Sequence, residues 1–423
     1  MTLSRDLCYP TAGELAVAAR ALVAEHPGLA RLRQVGTSRG GRPLWLLSVG
    51  PATAGGGEVL IVAGSHANEP VGGPTALALA RRVAAEAALR ERGGWHFLLC
   101  ADPDGAALHR TPHPGTLLDY HRNFFRPPGP EQPEWAPSLL TADRLPPETL
   151  ALTALIDELR PLLQVSLHGT DLGGSWVQLT RDIPGLAEPF GKSAAELRIP
   201  VETSACDAAG WPSPGPGIFV MPEPAGPAAG SPHADDARLS TWYRAHRHGG
   251  TTAIVEVPMW AGDLVDDPAP HPDPRAALRG LARRLTAEAA PVADALARAR
   301  ADLPGEPGPL LRAADWTLAL IPGLALEWSR ASPAGASTAY IAGIDAFARR
   351  LVLRAAAMLL RVLAAAGHPA APALEDLLAG GCEAFAHRFR ARWVPVATQV
   401  EHQAATVLAA HRRLLGAAQT VQP

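Results

Sequence analysis

Three widely separated stretches of this chain carry residues that could share one metal ion. The first is Gly64-Ser65-His66-Ala67-Asn68-Glu69, which follows directly on the apolar run Val59-Leu60-Ile61-Val62-Ala63. In open α/β sheets, ligand sites lie just beyond the carboxyl ends of strands. A histidine and a glutamate three apart on such a turn can aim at one ion, and imidazole and carboxylate both suit zinc. The pattern alone is weak, because His168-x-x-Asp171 and His233-x-x-Asp236 repeat it. A turn histidine that merely caps backbone groups is the plainer reading of His66. The second stretch is Ser166-Leu167-His168-Gly169, which closes another apolar run. A catalytic zinc takes three protein ligands and keeps one position open. His66, Glu69 and His168 would supply the three for a single Zn2+. A strand-end histidine bonded to a carbonyl is the alternative. The third is Glu256, inside Ala253-Ile254-Val255-Glu256-Val257. A buried carboxylate is costly unless paired or close to a metal. It reads either as a salt-bridged core glutamate or as a general base that takes a proton from a metal-activated water.

Such residues need elements to hold them. Helical spacing runs over 11–33, with Thr11 as N-cap and Glu14 completing a capping box. Strands are expected at 44–49, 59–63, 96–101, 162–167 and 252–258, and helices at 74–92 and 148–160. Short apolar strands alternating with amphipathic helices indicate an α/β sheet covered on both faces. Proline and glycine cluster at 127–137 and 210–232, and long loops of this kind often carry function. A break at 304–309 reads as a linker. Beyond it, 310–415 reads as helices with no strand, either packed on the catalytic body or forming a homo-oligomer face. The expected organisation is a catalytic domain over 1–303 and an all-α domain over 304–423.

Composition narrows the function. The 423 residues are 47% apolar with a net charge of -3, which excludes the basic excess of a nucleic-acid binder. Lys192 is the only lysine, so Schiff-base chemistry has a single candidate. Cys8, Cys100, Cys206 and Cys382 form no CxxC pair, which disfavours a thiolate zinc site or a disulfide framework. The opening MTLSRDLCYP has no apolar signal-like core. The most apolar stretch, 347–366, contains Arg349, Arg350, Arg354 and Arg361, which argues against a membrane span. A cytoplasmic protein is expected. Gly36-Thr37-Ser38-Arg39-Gly40 matches G-x-S-x-G, but Arg42-Pro43 and a strand follow where a nucleophile elbow needs a helix. A hairpin turn fits better. Trp135, Trp176, Trp211, Trp242 and Trp260 lie near the candidate residues in sequence and are left unassigned.

Taken in order, Tyr9-Pro10, Gly36 to Leu44, His66-x-x-Glu69, Asp102-Pro103-Asp104-Gly105, Asp119-Tyr120-His121-Arg122-Asn123-Phe124, Leu167-His168 and Val255-Glu256 resemble the carboxypeptidase A-type zinc carboxypeptidase family. The similarity runs from about Tyr9 to Trp260. It implies a three-layer α/β/α domain with a mixed, mostly parallel sheet. It also implies His66, Glu69 and His168 as zinc ligands and Glu256 as the catalytic glutamate. Arg122, with Asn123 and His121 beside it, would grip a terminal carboxylate, and Arg110 would steady the oxyanion. The family usually has asparagine where this chain has Asp102 and His121. No tyrosine lies between Ile218 and Thr241, so Tyr243 is the nearest substitute for the family's active-site tyrosine. A side-chain pocket is expected near Leu239 to Trp242, with Asp235 and Asp236 close by. The implied activity is zinc-dependent hydrolysis of a C-terminal peptide or peptide-like amide. An N-acyl amino-acid deacylase of the desuccinylase or aspartoacylase type is the alternative, and an inactive binding module that kept the fold is the third reading.

Overall fold

Val59 to Ala63 is a run of five apolar residues, and burial on both faces is what such a run requires. In the computed structural model, which describes residues 9–51, 57–109, 115–222, 237–303, 305–333 and 335–420, this run is the strand β3. Val59, Ile61 and Ala63 enter one apolar cluster, and Leu60 and Val62 enter another on the opposite face. The chain order is α1 (Ala12–Glu25), β1 (Ala30–Thr37), β2 (Pro43–Val49), β3 (Val59–Ala63), α2 (Gly72–Ala85), β4 (Trp95–Leu98), α3 (Pro103–Leu108), α4 (Leu117–Arg122) and α5 (Pro147–Leu159). It continues with β5 (Leu163–Gly173), β6 (Trp176–Leu179), α6 (Ala187–Glu196), β7 (Ile218–Val220), β8 (Thr251–Ala261) and α7 (Pro274–Ala299). Then come α8 (Pro309–Arg330), α9 (Thr338–Ala365), α10 (Ala371–Phe389), β9 (Arg392–Trp393) and α11 (Val396–Thr420).

The sheet runs β1-β2-β4-β3-β5-β8-β6-β7, with β9 added against β8. Its centre, β4-β3-β5-β8, is parallel, and β1-β2, β2-β4, β6-β8 and β8-β9 are antiparallel. Apolar side chains of α1, α2, α6 and α11 cover one face. Those of α5 cover part of the other, and α7 to α10 form a further layer that shares a core with the end of β8. This is the mixed α/β/α sheet with a helical C-terminal region that the sequence pattern indicates.

Local signals held where short-range chemistry sets structure. Thr11 accepts from the Glu14 backbone N–H while the Glu14 carboxylate accepts from the Thr11 backbone, a complete capping box. The helix stops at Glu25, and Ala30–Thr37 is the strand β1, although the helical spacing in the sequence extends to 33. β1 has its edge partner β2 to satisfy its backbone, and tertiary pairing overrides the apolar period there. Ser38 sits in the β1–β2 hairpin, with Thr37 opposite Pro43. Its hydroxyl donates to Asp104 Oδ1 at 2.8 Å and accepts from the Arg42 N–H, which spends it on the turn.

The segment after residue 304 returns to the sheet. Gln403 of α11, fully buried, donates through Nε2 to the carbonyls of His168 (2.6 Å) and Val255 (3.1 Å), and its Oε1 accepts from Thr75 (2.8 Å). His402 bonds Ser175 and Ser193. β9 is a two-residue strand that the helical reading of 310–415 did not contain. Among the described residues no helix is long and apolar enough to cross a membrane.

Candidate metal centre

The parallel register decides which polar side chains meet. In β5 the apolar positions Leu163, Val165 and Leu167 enter one apolar cluster. The alternate positions Ser166, His168 and Thr170 therefore share the other face. β8 runs parallel beside it, with His168 opposite Glu256. On the other side of β5, Ala63 at the end of β3 pairs with Leu167, so the turn holding His66 and Glu69 begins beside His168. Gly64 makes that turn possible: its φ is +63°, and a Cβ there would lie 3.0 Å from the Cys100 sulfur.

The result is a tight cluster. His66 Nδ1 lies 3.0 Å from Glu69 Oε1 and Oε2, and His168 Nδ1 lies 2.9 Å from Glu69 Oε2. The donor atoms of His66, Glu69 and His168 all fall within 4.8 Å of one another, and all three residues are buried. Among the described residues no other three His, Cys, Asp or Glu donors gather this closely. Glu256 Oε1 is 3.8 Å from His168 Nδ1.

Two residues not anticipated from the sequence complete the cluster. Glu134, 1% exposed, receives the far side of His168: Oε2 is 3.0 Å from Nε2, and Oε1 accepts from Ser166 Oγ at 2.6 Å. A carboxylate on Nε2 fixes the proton there and leaves the Nδ1 lone pair facing Glu69, the usual outer partner of a metal-bound histidine. Arg126 donates from Nη1 to Glu69 Oε1 at 2.8 Å, and its Nη2 is 3.0 Å from His66 Nε2. The donor set fits a zinc ion held by two imidazole nitrogens and a carboxylate. Metal on His66 Nδ1 puts the proton on Nε2, opposite the Arg126 donor, so that one contact must open when the ion binds.

The electrostatics agree. Burial would lift Glu69, but the two imidazoles outweigh it and hold the carboxyl well below its usual range. Burial would lower His168, yet Glu69 and Glu134 hold it well above the ordinary histidine value. His66 falls to about 4 through burial and the charge of Arg126. Glu256 rises to about 8 through burial and the charge of Glu69. A divalent cation at this point would favour ionisation of both carboxyls.

A cavity of about 260 Å³ opens beside the cluster. Trp135, Trp176, Trp211 and Trp242 line it, whereas Trp260 does not. The Trp242 ring stands edge-on to His168, with centroids 6.0 Å apart. Trp316 and Leu320 of α8 and Phe347, Arg350 and Arg354 of α9 also line the cavity.

The substrate-gripping residues expected from the motif do not line this cavity. Arg122, with 47% of its side chain exposed, forms an ion pair with Glu375 of α10, its Nε 2.9 Å from Oε1. α4 is a six-residue helix, and at its last residue Arg122 faces outward. Asn123 caps that helix, its amide donating to Asp119 O. His121 is fully buried, with Nδ1 bonded to Leu117 O and Nε2 4.0 Å from Asp171. Tyr243 packs in a small apolar group with Met221 and Ile254, its ring beside His246, and its neighbour Trp242 faces the cavity instead. Arg110, Asp235 and Asp236 lie outside the described residues. The 127–137 loop was the available signal for Arg126 and Glu134, since the first immediately precedes it and the second lies within it.

The chain thus places His, Glu and His donors at the carboxyl edge of a parallel-centred α/β/α sheet. Residues 16–173 match the family model described as zinc carboxypeptidase, just over a third of the chain, and a stretch that ends before Glu256. Among solved structures the chain is similar to a metallo-carboxypeptidase from Burkholderia cenocepacia, at 18% identity and a TM-score of 0.38, covering 59% of this chain and 60% of that one. It is similar at 18% identity and a TM-score of 0.38 to carboxypeptidase A from Helicoverpa armigera, covering 61% and 66%. No curated protein matches.

Proposed function

We propose that the protein is a zinc-dependent hydrolase that cleaves the amide bond of a carboxylate-bearing residue. The observation that supports this most is the meeting of two imidazole Nδ1 atoms on one buried carboxylate, with Glu256 3.8 Å from the nearer ring. His66, Glu69 and His168 would hold the ion, which would supply a Lewis acid for the scissile carbonyl and make a water more acidic. Glu256 Oε1 then takes a proton from the attacking water and returns it to the leaving nitrogen. Glu134 keeps the His168 proton on Nε2 throughout. Arg126, whose guanidinium already reaches Glu69, donates to the oxygen on which negative charge develops, the part the sequence reading gave to Arg110. The tryptophan-lined walls keep bulk water from the reacting atoms.

A small substrate, such as an N-acyl amino acid, is favoured over a long peptide by one feature. Side chains of α8 and α9 line the cavity beside the metal cluster and narrow the room left for a substrate there. The test is zinc content by mass spectrometry together with a panel of N-blocked dipeptides and N-acyl amino acids. The expected result is one zinc per chain and turnover of part of the panel. Glu256→Gln should keep its zinc and lose about 100-fold or more in kcat. Equal turnover by both proteins removes Glu256 from the chemistry.

A further inference from the structure

Arg350 and Arg354 sit one turn apart on α9, outside the family-matched segment, and both line the cavity. Arg350 donates from Nη1 to Thr170 Oγ1 at 3.1 Å, and its Nε is 3.2 Å from Asp171 Oδ1. Arg354 reaches Asp171 Oδ2 through Nη2 at 3.4 Å, and its guanidinium lies over the Phe124 ring, 5.1 Å from the centroid. Each guanidinium brings five N–H donors. One hydroxyl and one shared carboxylate accept only a few of these, and Nε of both arginines lacks a hydrogen bond of good geometry. A pair of partly buried, cavity-facing forks with donors to spare is suited to a carboxylate.

Position adds a second argument. Thr170 lies two residues beyond His168 on the same face of β5, which is about 7 Å along a strand. A scissile carbonyl near His168 is separated from the carboxyl carbon of the next residue by three backbone bonds, about 4 Å. One N–H···O contact of about 2.8 Å covers the remainder. Arg122, by contrast, is engaged with Glu375 outside the cavity.

We propose that Arg350 and Arg354 form the subsite that holds the α-carboxylate of the residue released by hydrolysis, so that α9 completes the site. The proposal rests on the amide-hydrolase reading for the position of the substrate, but its test is a binding measurement. The probe is an N-blocked dipeptide, as the free acid and as its C-terminal amide, titrated calorimetrically into the full chain with and without zinc. The free acid should bind at least tenfold more tightly than the amide. Arg354→Lys and Arg350→Lys, which keep the positive charge beside Asp171 but lose the fork, should each weaken the acid about tenfold and leave the amide unchanged. Arg122→Ala should alter neither. A thermal melt of each variant ensures that only folded protein is compared, and Arg354→Gln with Asp171→Asn supplies a charge-balanced version if a lysine variant does not fold. Equal binding of acid and amide, or a loss with Arg122→Ala as large as with the α9 variants, overturns the subsite. Discrimination without cleavage of either probe leaves the subsite standing and removes the hydrolase reading. Cleavage that is indifferent to the α9 variants does the reverse.

Discussion

Replacing Glu134 by glutamine changes one oxygen to nitrogen behind His168, beyond the three metal donors themselves, yet it should weaken zinc binding. Glu134 Oε2 lies 3.0 Å from His168 Nε2, and Oε1 takes the Ser166 hydroxyl at 2.6 Å. Glutamine has one acceptor and one donor for these two partners. If its oxygen faces His168, the histidine keeps its proton on Nε2 and remains a ligand, but it loses the carboxylate's charge. If its nitrogen faces His168, the proton moves to Nδ1 and the ligand atom is blocked. Either outcome costs affinity, and the loss of an outer-shell partner typically costs 10–100-fold. That is about 1.4–2.8 kcal/mol at 1.4 kcal/mol per tenfold. The same substitution removes a charge that holds His168 well above its ordinary range, so the zinc-free histidine should titrate at lower pH. The assay is competition for Zn2+ with a chromophoric chelator at several pH values, with Ser166→Ala as the companion that leaves the carboxylate in place. A zinc Kd within twofold of the native value, with the fold intact, would refute the claim that Glu134 orients His168.

Asp102 is buried, and burial followed by the charge of Glu148 raises its carboxyl from 3.8 to about 7. A carboxyl raised in the folded state favours folding below its unfolded pKa, and that contribution is lost as pH climbs to the folded value. The stability of the native chain relative to Asp102→Asn should therefore fall between pH 3.8 and about 7, by at most about 4 kcal/mol. Urea titrations of both proteins across that window read it directly, and parallel curves would exclude it. Gln403→Ala should destabilise by about 1–3 kcal/mol, since the carbonyls of His168 and Val255 lose a buried donor. Chemical denaturation measures this, and an unchanged midpoint would mean that α11 does not anchor the sheet at this point.

Periodicity and local chemistry made the central strands, the Thr11–Glu14 capping box and the serine hairpin readable, because each depends on neighbours within a few residues. His66, Glu69, His168 and Glu256 were also readable, since strand ends in a parallel sheet gather at one edge and these four residues stand on or just beyond strands. The strand β1 was not, because its partner β2 outweighs the helical spacing of its apolar residues. The substrate side was not readable either. Arg122 stands in the expected motif, but where its guanidinium points depends on Glu375, more than two hundred residues away. Arg350 and Arg354 argued only against a membrane span until α9 was seen packed beside Thr170 and Asp171. Sequence alone put forward His66, Glu69 and His168 as candidate metal ligands, because those groups are fixed to a backbone pattern that is itself local. Only the tertiary structure decided which cations face the cavity, because long flexible side chains take their direction from whatever the rest of the chain brings beside them.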